Sequence, residues 1–420
     1  MITANEVTVQ FGQKPLFEDI SITFSKGNVY GLIGANGSGK STFMKVLSGD
    51  LEPTSGSVSI QKDRRVSMLS QDQFAFEEIN IIDCVMMGHK KLWLIKKERD
   101  RIYAINDMNE DEALKVSNLE IEFSDMNGYS AESDASELLL GLGISIEEQS
   151  LKMKNISPER KLKVLLAQSL FGEPDILLLD EPTNNLDLEN ISWLEETLKD
   201  RDSTMVIISH DRHFLNNVCT HMVDLDYGKL QIYNGNYDFF MVESALSKQL
   251  LTHENAKKEA KIKELESFVR RFSANASKAK QATSRANQLK KIKLDEVKKS
   301  SRVYPFIKFN QNKKIYNTAL EVENLNKGFD ELDVIKKFSI NVDAGERIAV
   351  IGNNGMGKST LLRCFMNDLQ IDSGKVIWSK NVKIGYFAQN HNEEFKQDIS
   401  LVDWMAKWGQ KDDDMQVIRG

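Results

Sequence analysis

Gly34-Ala35-Asn36-Gly37-Ser38-Gly39-Lys40-Ser41-Thr42 fits the pattern G-x-x-x-x-G-K-[ST] and constrains the fold more tightly than any other stretch. Its glycines let the backbone curl until successive N–H groups point inward, a cradle for phosphate oxygens. Lys40 is placed to reach the outer phosphates, and the Ser41 hydroxyl suits a Mg²⁺ position. Ahead of the loop, Val29-Tyr30-Gly31-Leu32-Ile33 reads as a buried strand; behind it, Thr42 to Leu47 opens a helix. The N-terminus of that helix adds partial positive charge to the same spot. Strand, loop and helix in this order predict an α/β domain built around a nucleotide.

The same device occurs twice. Gly352-Asn353-Asn354-Gly355-Met356-Gly357-Lys358-Ser359-Thr360 follows the apolar run Ile348 to Ile351, and Lys358 lies 318 residues after Lys40. Phe11 and Phe329, Gly27 and Gly345, Gly56 and Gly374, and Gln71 and Gln389 share that offset. A constant offset over several landmarks means an ungapped internal duplication, hence two nucleotide domains in tandem. Phe11 and Phe329 are candidates for stacking on an adenine ring, against the plainer reading of an aromatic closing a strand. Gln71 and Gln389 each end a strand, where a side-chain amide suits Mg²⁺, the attacking water or the γ-phosphate. Ser359, like Ser41, is a candidate Mg²⁺ ligand.

In the first half, Ile176-Leu177-Leu178-Leu179-Asp180-Glu181 is an apolar run ending in two carboxylates. Asp180 at the strand end suits Mg²⁺ and its waters. Strand alternation is expected to turn Glu181 the other way, where it can polarise the water that attacks phosphorus. Thr204 to Ile208 is a second buried run, followed by Ser209-His210-Asp211. His210 is placed to hydrogen-bond the γ-phosphate and that water.

Composition sets the surroundings. No apolar run approaches the ~18 residues needed to cross a bilayer, and the N-terminus lacks a signal-peptide pattern. Cys84, Cys219 and Cys364 are scattered, as expected of buried thiols in a reducing compartment. These features predict a cytoplasmic protein. The net charge is −7, yet residues 248–302 hold sixteen Lys/Arg against six Asp/Glu, a local balance of +10. That segment is the expected polyanion contact, against the plainer reading of a solvated coiled coil.

Taken in order, Gln71, Leu179-Asp180-Glu181-Pro182-Thr183, Asn184-Asn185-Leu186-Asp187 and Ser209-His210-Asp211 resemble an ATP-binding cassette. Glu181-Pro-Thr-Asn-Asn-Leu-Asp187, together with two cassettes and no membrane segment, resembles the ABC-F proteins, with wording closest to their YbiT-like branch. The resemblance implies an α/β chain of two ABC-type P-loop NTPase domains, the second incomplete, joined by a basic helical hairpin. The first domain is expected over residues 1–236, with a helical arm at about 88–128 formed by Lys90 to Met108 and Glu110 to Met126. The linker spans 237–302 and the second domain 316–420. ATP and Mg²⁺ are the implied cofactors, Glu181, His210 and Gln71 the catalytic residues, and Gln71, Asp180 and Gln389 metal contacts beside the two serines. The implied partners are the ribosome, through its RNA, and tRNA. Arg270, Arg271, Lys278, Lys280, Arg285, Lys290, Lys291 and Lys293 are the candidate RNA contacts. The rival reading is the ATPase subunit of a transporter; a DNA-repair or chromosome ATPase fits less well, lacking zinc cysteines and a far longer coiled coil.

One motif departs from the family. Cassettes carry Leu-Ser-Gly-Gly-Gln/Glu before the carboxylate strand, and here the equivalent is Ile156-Ser157-Pro158-Glu159-Arg160. Ser157 remains, but Pro158 has no N–H and Glu159 adds negative charge. Lys161 or Lys163 is expected to compensate in part. Only 62 residues follow Lys358, against 170 between Lys40 and His210. The second half therefore holds no carboxylate strand, signature or counterpart of His210, as expected of a truncated product. The expectation is ATP–Mg binding at Lys40 with slow turnover at most.

Overall fold

The computed structural model describes residues 1–70, 72–105, 109–272, 284, 287–289, 315, 317–329, 332–380, 382–388 and 399–407. The chain divides into two units, Met1–Phe306 and Ile307–Gly420.

The first unit begins with an antiparallel layer, β1 (Ile2–Gln10), β2 (Pro15–Phe24) and, after an intervening strand and helix, β4 (Ser55–Ile60), in the order β2-β1-β4. The intervening pieces are β3 (Val29–Gly34) and α1 (Lys40–Ser48), which carry the phosphate loop between them. The main sheet joins β3 to β5 (Val66–Met68), β6 (Ile176–Asp180), β7 (Thr204–Ile208), β8 (His221–Asp226) and β9 (Lys229–Asn234), in the order β5-β6-β7-β3-β8-β9. All neighbours are parallel except β8 and β9.

The apolar strands are unbroken because both faces of this sheet are covered. Leu177, Leu179, Met205 and Ile207 join a core with the helices, while Ile176, Leu178, Val206 and Ile208 join one with the antiparallel layer and α1. At about 1.5–3 kcal/mol for each fully buried aliphatic side chain, this two-sided burial is the main force fixing the loops at the strand ends.

Helices line the first face: α2 (Ile81–Met86), α3 (Lys90–Tyr103), α4 (Glu110–Asp125), α5 (Ala131–Gly141), α6 (Ile146–Gln149) and α7 (Pro158–Leu170). The expected arm is the α3–α4 hairpin, pinned by Lys91–Glu122 (3.1 Å) and Lys115–Glu98 (2.5 Å). Its first helix ends at Tyr103 rather than Met108, and residues 106–108 lie outside the described residues. Asn109 explains the restart, since it caps α4 in a reciprocal box with Glu112. After β6 and β7 come α8 (Leu188–Lys199) and α9 (Arg212–Val218), and α10 (Tyr237–Phe272) leaves the sheet as one 36-residue helix. Phe240 anchors its start, fully buried against Tyr233 at 5.0 Å. The three cysteines are buried and unpaired as expected; burial pushes the Cys84 and Cys219 thiols up to about 12.

The second unit repeats the opening of the first: β10 (Thr318–Phe329), β11 (Leu332–Asp343), β12 (Ser373–Trp378) in the order β11-β10-β12, with α11 (Lys358–Phe365) after its phosphate loop. The duplication extends to backbone irregularities. Glu6 and Asn324, and Asp19 and Lys337, hold left-handed φ between 47° and 52° at the same offset. Glu6 N–H donates to Ser21 and Asn324 N–H to Ser339. Opposite that bulge a Cβ on Gly56 would meet Glu6 O at 2.3 Å, and one on Gly374 would meet Asn324 O at 2.5 Å. Both glycines are therefore steric requirements. Arg347 to Ile351, which repeats β3, is exposed and forms no strand. In the first unit β7 and β8 flank β3, and the stretch holding them has no counterpart within these 420 residues.

Candidate nucleotide site

The loop Gly34–Gly39 is closed by its own lysine. Lys40 Nζ donates to Gly34 O (3.1 Å) and Ala35 O (3.0 Å). Gly39, at φ 98°, is the left-handed N-cap of α1, and a Cβ there would lie 2.9 Å from Leu16 Cδ2. Only glycine meets both conditions without strain. The second loop is closed in the same way, with Lys358 Nζ 2.7 Å from both Gly352 O and Asn353 O and Gly357 at φ 90°. Ser41 and Ser359 are exposed at the first turn of their helices, and Ser38 Oγ is buried with no hydrogen-bond partner. Glycine-built cradles, a lysine at the mouth and an unsatisfied hydroxyl suit phosphate oxygens.

A cavity of about 400 Å³ opens beside the first loop, lined by Pro15 to Glu18, Ala35 to Ser38, Tyr227 and Gly228. Phe11 does not line it. It stands in the β1–β2 turn with 66% of its surface exposed. Leu16 and Glu18, on β2, and Tyr227, in the β8–β9 turn, escaped the sequence reading because they are far from the loop in sequence and reach it only through the folded sheets. The β8–β9 hairpin itself was the only local signal.

The carboxylates sit at the end of β6. Asp180 is buried, 5% exposed, and the strand stops there. Glu181 adopts φ 53°, and its N–H donates to Ile208 O at 2.8 Å. Strand alternation therefore does not reach Glu181: both carboxylates line one cavity of about 200 Å³ with Ser70, Gln73, Asn184 and Asn185. The expectation that they point apart is corrected by this backbone reversal. Glu181 Oε2 accepts from His210 N–H (3.2 Å), while Oε1 is buried without a hydrogen bond, 3.5 Å from His210 Nε2. Burial pushes the Glu181 carboxyl above its usual range and Asp180 adds to this, against the opposing fields of His210 and Lys40. A half-desolvated carboxylate with one unused oxygen is equipped to take a proton from a water. Thr183 and Ser209 hydroxyls, 3.2 Å apart, tie the ends of β6 and β7 together. Asp211 caps α9 through the His213 and Phe214 N–H groups, which fixes the chain on either side of His210.

Around the signature equivalent the structure reassigns two residues. Ser157 is the N-cap of α7, accepting from Arg160 N–H at 3.4 Å, with Pro158 in the first turn. Lys161 and Lys163 are buried and do not compensate for the missing glycines. Lys161 pairs with Glu77 at 2.9 Å, and Lys163 lies 3.7 Å from Asp187, the cap of α8. Two apart on α7 they point to opposite sides, but the helix is buried on both, so Lys163 is held by the buried Asp187 and Lys161 by Glu77, which reaches it from the surface.

Gln71, Gln389, Lys278, Lys280, Arg285, Lys290, Lys291 and Lys293 lie outside the described residues. Arg270 is exposed in the last turns of α10, and Arg271 belongs to the same helix. Among the described residues no three metal-binding side chains of the His, Cys, Asp and Glu type cluster, and no helix is long and apolar enough to cross a membrane.

Phosphate loop, carboxylate-ended central strand and a following strand closed by histidine define a P-loop nucleotide-hydrolysing domain. Residues 17–184 and 335–418 match the family model described as ABC transporter, and residues 223–309 match a second model of the same description. The chain belongs to the ATP-binding cassette family, whose cassettes bind and hydrolyse ATP. It is 59% identical over 419 residues to "Probable ATP-binding protein YbiT" of Escherichia coli O157:H7, covering 100% of this chain and 79% of that protein. It is 46% identical over 421 residues to "Uncharacterized ABC transporter ATP-binding protein YkpA" of Bacillus subtilis (strain 168), covering 100% of this chain and 78% of that one. A solved "Structure of ATP binding subunit of ABC transporter" overlays with a TM-score of 0.46 at 19% identity, covering 59% of this chain and 94% of that chain.

Proposed function

We propose that this protein is an ABC-F-type ATPase that acts on the ribosome and its bound tRNA in the cytoplasm. The observation that carries the reading is one chain with two phosphate loops of matching geometry and a segment of +10 charge between them. Similarity to the protein named YbiT supports the ABC-F assignment.

In this reading Lys40 and Lys358 hold the outer phosphates of ATP, with Phe11 and Phe329 against the base. Ser41 and Asp180 in the first unit, and Ser359 in the second, hold Mg²⁺, joined by Gln71 and Gln389. Mg²⁺ supplies charge neutralisation at the phosphates. Glu181 accepts the proton of the attacking water, and His210 orients that water. Ser157 at the head of α7, flanked by Pro158 and Glu159, makes a weak phosphate partner. Hydrolysis is therefore slow relative to binding, as suits an ATP-held state that persists on its target. Arg270, Arg271 and the basic residues from Lys278 to Lys293 approach RNA phosphates, with binding that weakens steeply as salt rises.

The test is co-sedimentation of the Glu181→Gln protein with ribosomes in ATP and in ADP. ATP-dependent pelleting, lost when the residues from Arg270 to Lys293 are neutralised, supports the reading; equal pelleting in both nucleotides removes it. The rival, an ATPase subunit serving a membrane transporter, is favoured by the wording of the YkpA name. Hydrolysis stimulated by membranes and indifferent to ribosomes would select it.

A further inference from the structure

The two halves repeat closely enough that their differences are informative. In the first half Gln10 N–H, just before Phe11, donates to Thr54 Oγ1 at 3.1 Å. At the same offset Gly328 N–H, just before Phe329, donates to Asp372 Oδ2 at 2.6 Å. The other oxygen of that carboxylate holds Lys327 Nζ at 2.8 Å. The counterpart of Lys327 is the uncharged Val9. Only 13% of the Lys327 side chain is exposed, and its ammonium stands 5.3 Å from the centroid of the Phe329 ring. One carboxylate thus ties the cation and the backbone on the two residues that precede the ring.

We propose that Lys327 and Asp372 are positioning residues that make Phe329 a cation-backed platform for the nucleotide base, so that the second phosphate loop discriminates the base more strongly than the first. This rests on the reading of Phe329 as a base-stacking ring. The physical grounds are two. A cation at the ring draws on its negative face, lowering the repulsion an electron-rich purine meets on the other. A ring already held in place loses less freedom when the base arrives. Phe329 is 46% exposed against 66% for Phe11, consistent with a ring braced by its neighbours. Phe11, preceded by Val9 and braced through a neutral threonine, has neither contribution.

The experiment uses the full chain carrying Lys40→Ala, so that binding reports the Lys358 loop. Calorimetry compares MgATP with Mg-tripolyphosphate, which lacks base and ribose; the ratio of the two affinities isolates what the nucleoside contributes. Lys327→Met, and Asp372→Thr to install the first-half residue, are expected to weaken MgATP about three- to tenfold and leave tripolyphosphate unchanged. Lys327→Arg, which keeps the cation, restores the ratio. Phe329→Ala lowers it at least as far as Lys327→Met. If Phe329→Ala lowers the ratio but Lys327→Met does not, the pair is only structural and the proposal fails while the stacking reading stands. If Phe329→Ala changes nothing, or the Lys40→Ala protein binds no MgATP, the stacking reading fails and takes the proposal with it. Equal weakening of both ligands by Lys327→Met would mark a damaged fold rather than a lost base contact, and would likewise overturn it.

Discussion

Replacing Lys163 with methionine should destabilise the first unit without touching its nucleotide chemistry. Lys163 and Asp187 side chains are 9% and 10% exposed, with 3.7 Å between Nζ and Oδ2. Methionine preserves most of the buried chain volume but leaves the Asp187 carboxylate without its countercharge. Removing one partner of a buried pair costs about 3–5 kcal/mol. Asp187 keeps some compensation, since its other oxygen accepts from Asn190 N–H at 3.0 Å at the start of α8. The loss therefore belongs near the lower bound, about 3 kcal/mol, a large part of the ~5–15 kcal/mol that holds a domain together. Urea unfolding followed by tryptophan fluorescence reads it, because Trp193 on α8 packs against the core. Lys163→Met combined with Asp187→Asn should recover most of the stability, since no unpaired charge remains. The same loss should be measured with and without saturating ATP. A loss under about 1 kcal/mol would mean that water reaches the pair. A loss confined to the ATP-dependent part would mean that Lys163 faces phosphate, and would refute the reassignment.

Three further outcomes follow from the site. Burial raises the Glu181 carboxyl, so the native state holds a proton that the unfolded chain releases just above the ordinary value of 4.5. Stability is thus lost as pH rises through that window, and Glu181→Gln should melt higher than wild type at pH 8 but alike below pH 4.5, while losing ATP hydrolysis. Gly37→Ala meets no atom within 4 Å and should cost only the ~1–2 kcal/mol of a left-handed alanine. Gly39→Ala, with Leu16 at 2.9 Å, should cost more and weaken ATP binding; equal melting losses for the two would refute the steric argument. Arg65 donates to Phe171 O (2.9 Å), Gly172 O and Gly88 O (3.3 Å), closing the end of α7. Arg65→Met should cost about 2–3 kcal/mol by chemical denaturation, roughly 1 kcal/mol for each lost bond.

The sequence by itself determined the parts whose causes are local. A phosphate loop is legible because glycine spacing, a lysine and the flanking strand and helix are neighbours in the chain; so is the duplication, which needs only a constant offset. The buried strands at Ile176 and Thr204 are legible because two-sided burial leaves an unbroken apolar run. Tertiary structure decided what depends on sheet order and on side-chain direction. It brought the β8–β9 turn to the phosphate loop across a sheet in which β3 lies between β7 and β8. It turned Glu181 beside Asp180 by a backbone reversal that strand alternation does not foresee. It also buried Lys161 and Lys163, whose partners Glu77 and Asp187 lie far from them in sequence and meet them only in the fold. Phe329 and Phe11 read alike in sequence; the carboxylate that distinguishes them stands just ahead of β12, more than forty residues away, where only the folded sheet makes Asp372 a neighbour of Lys327.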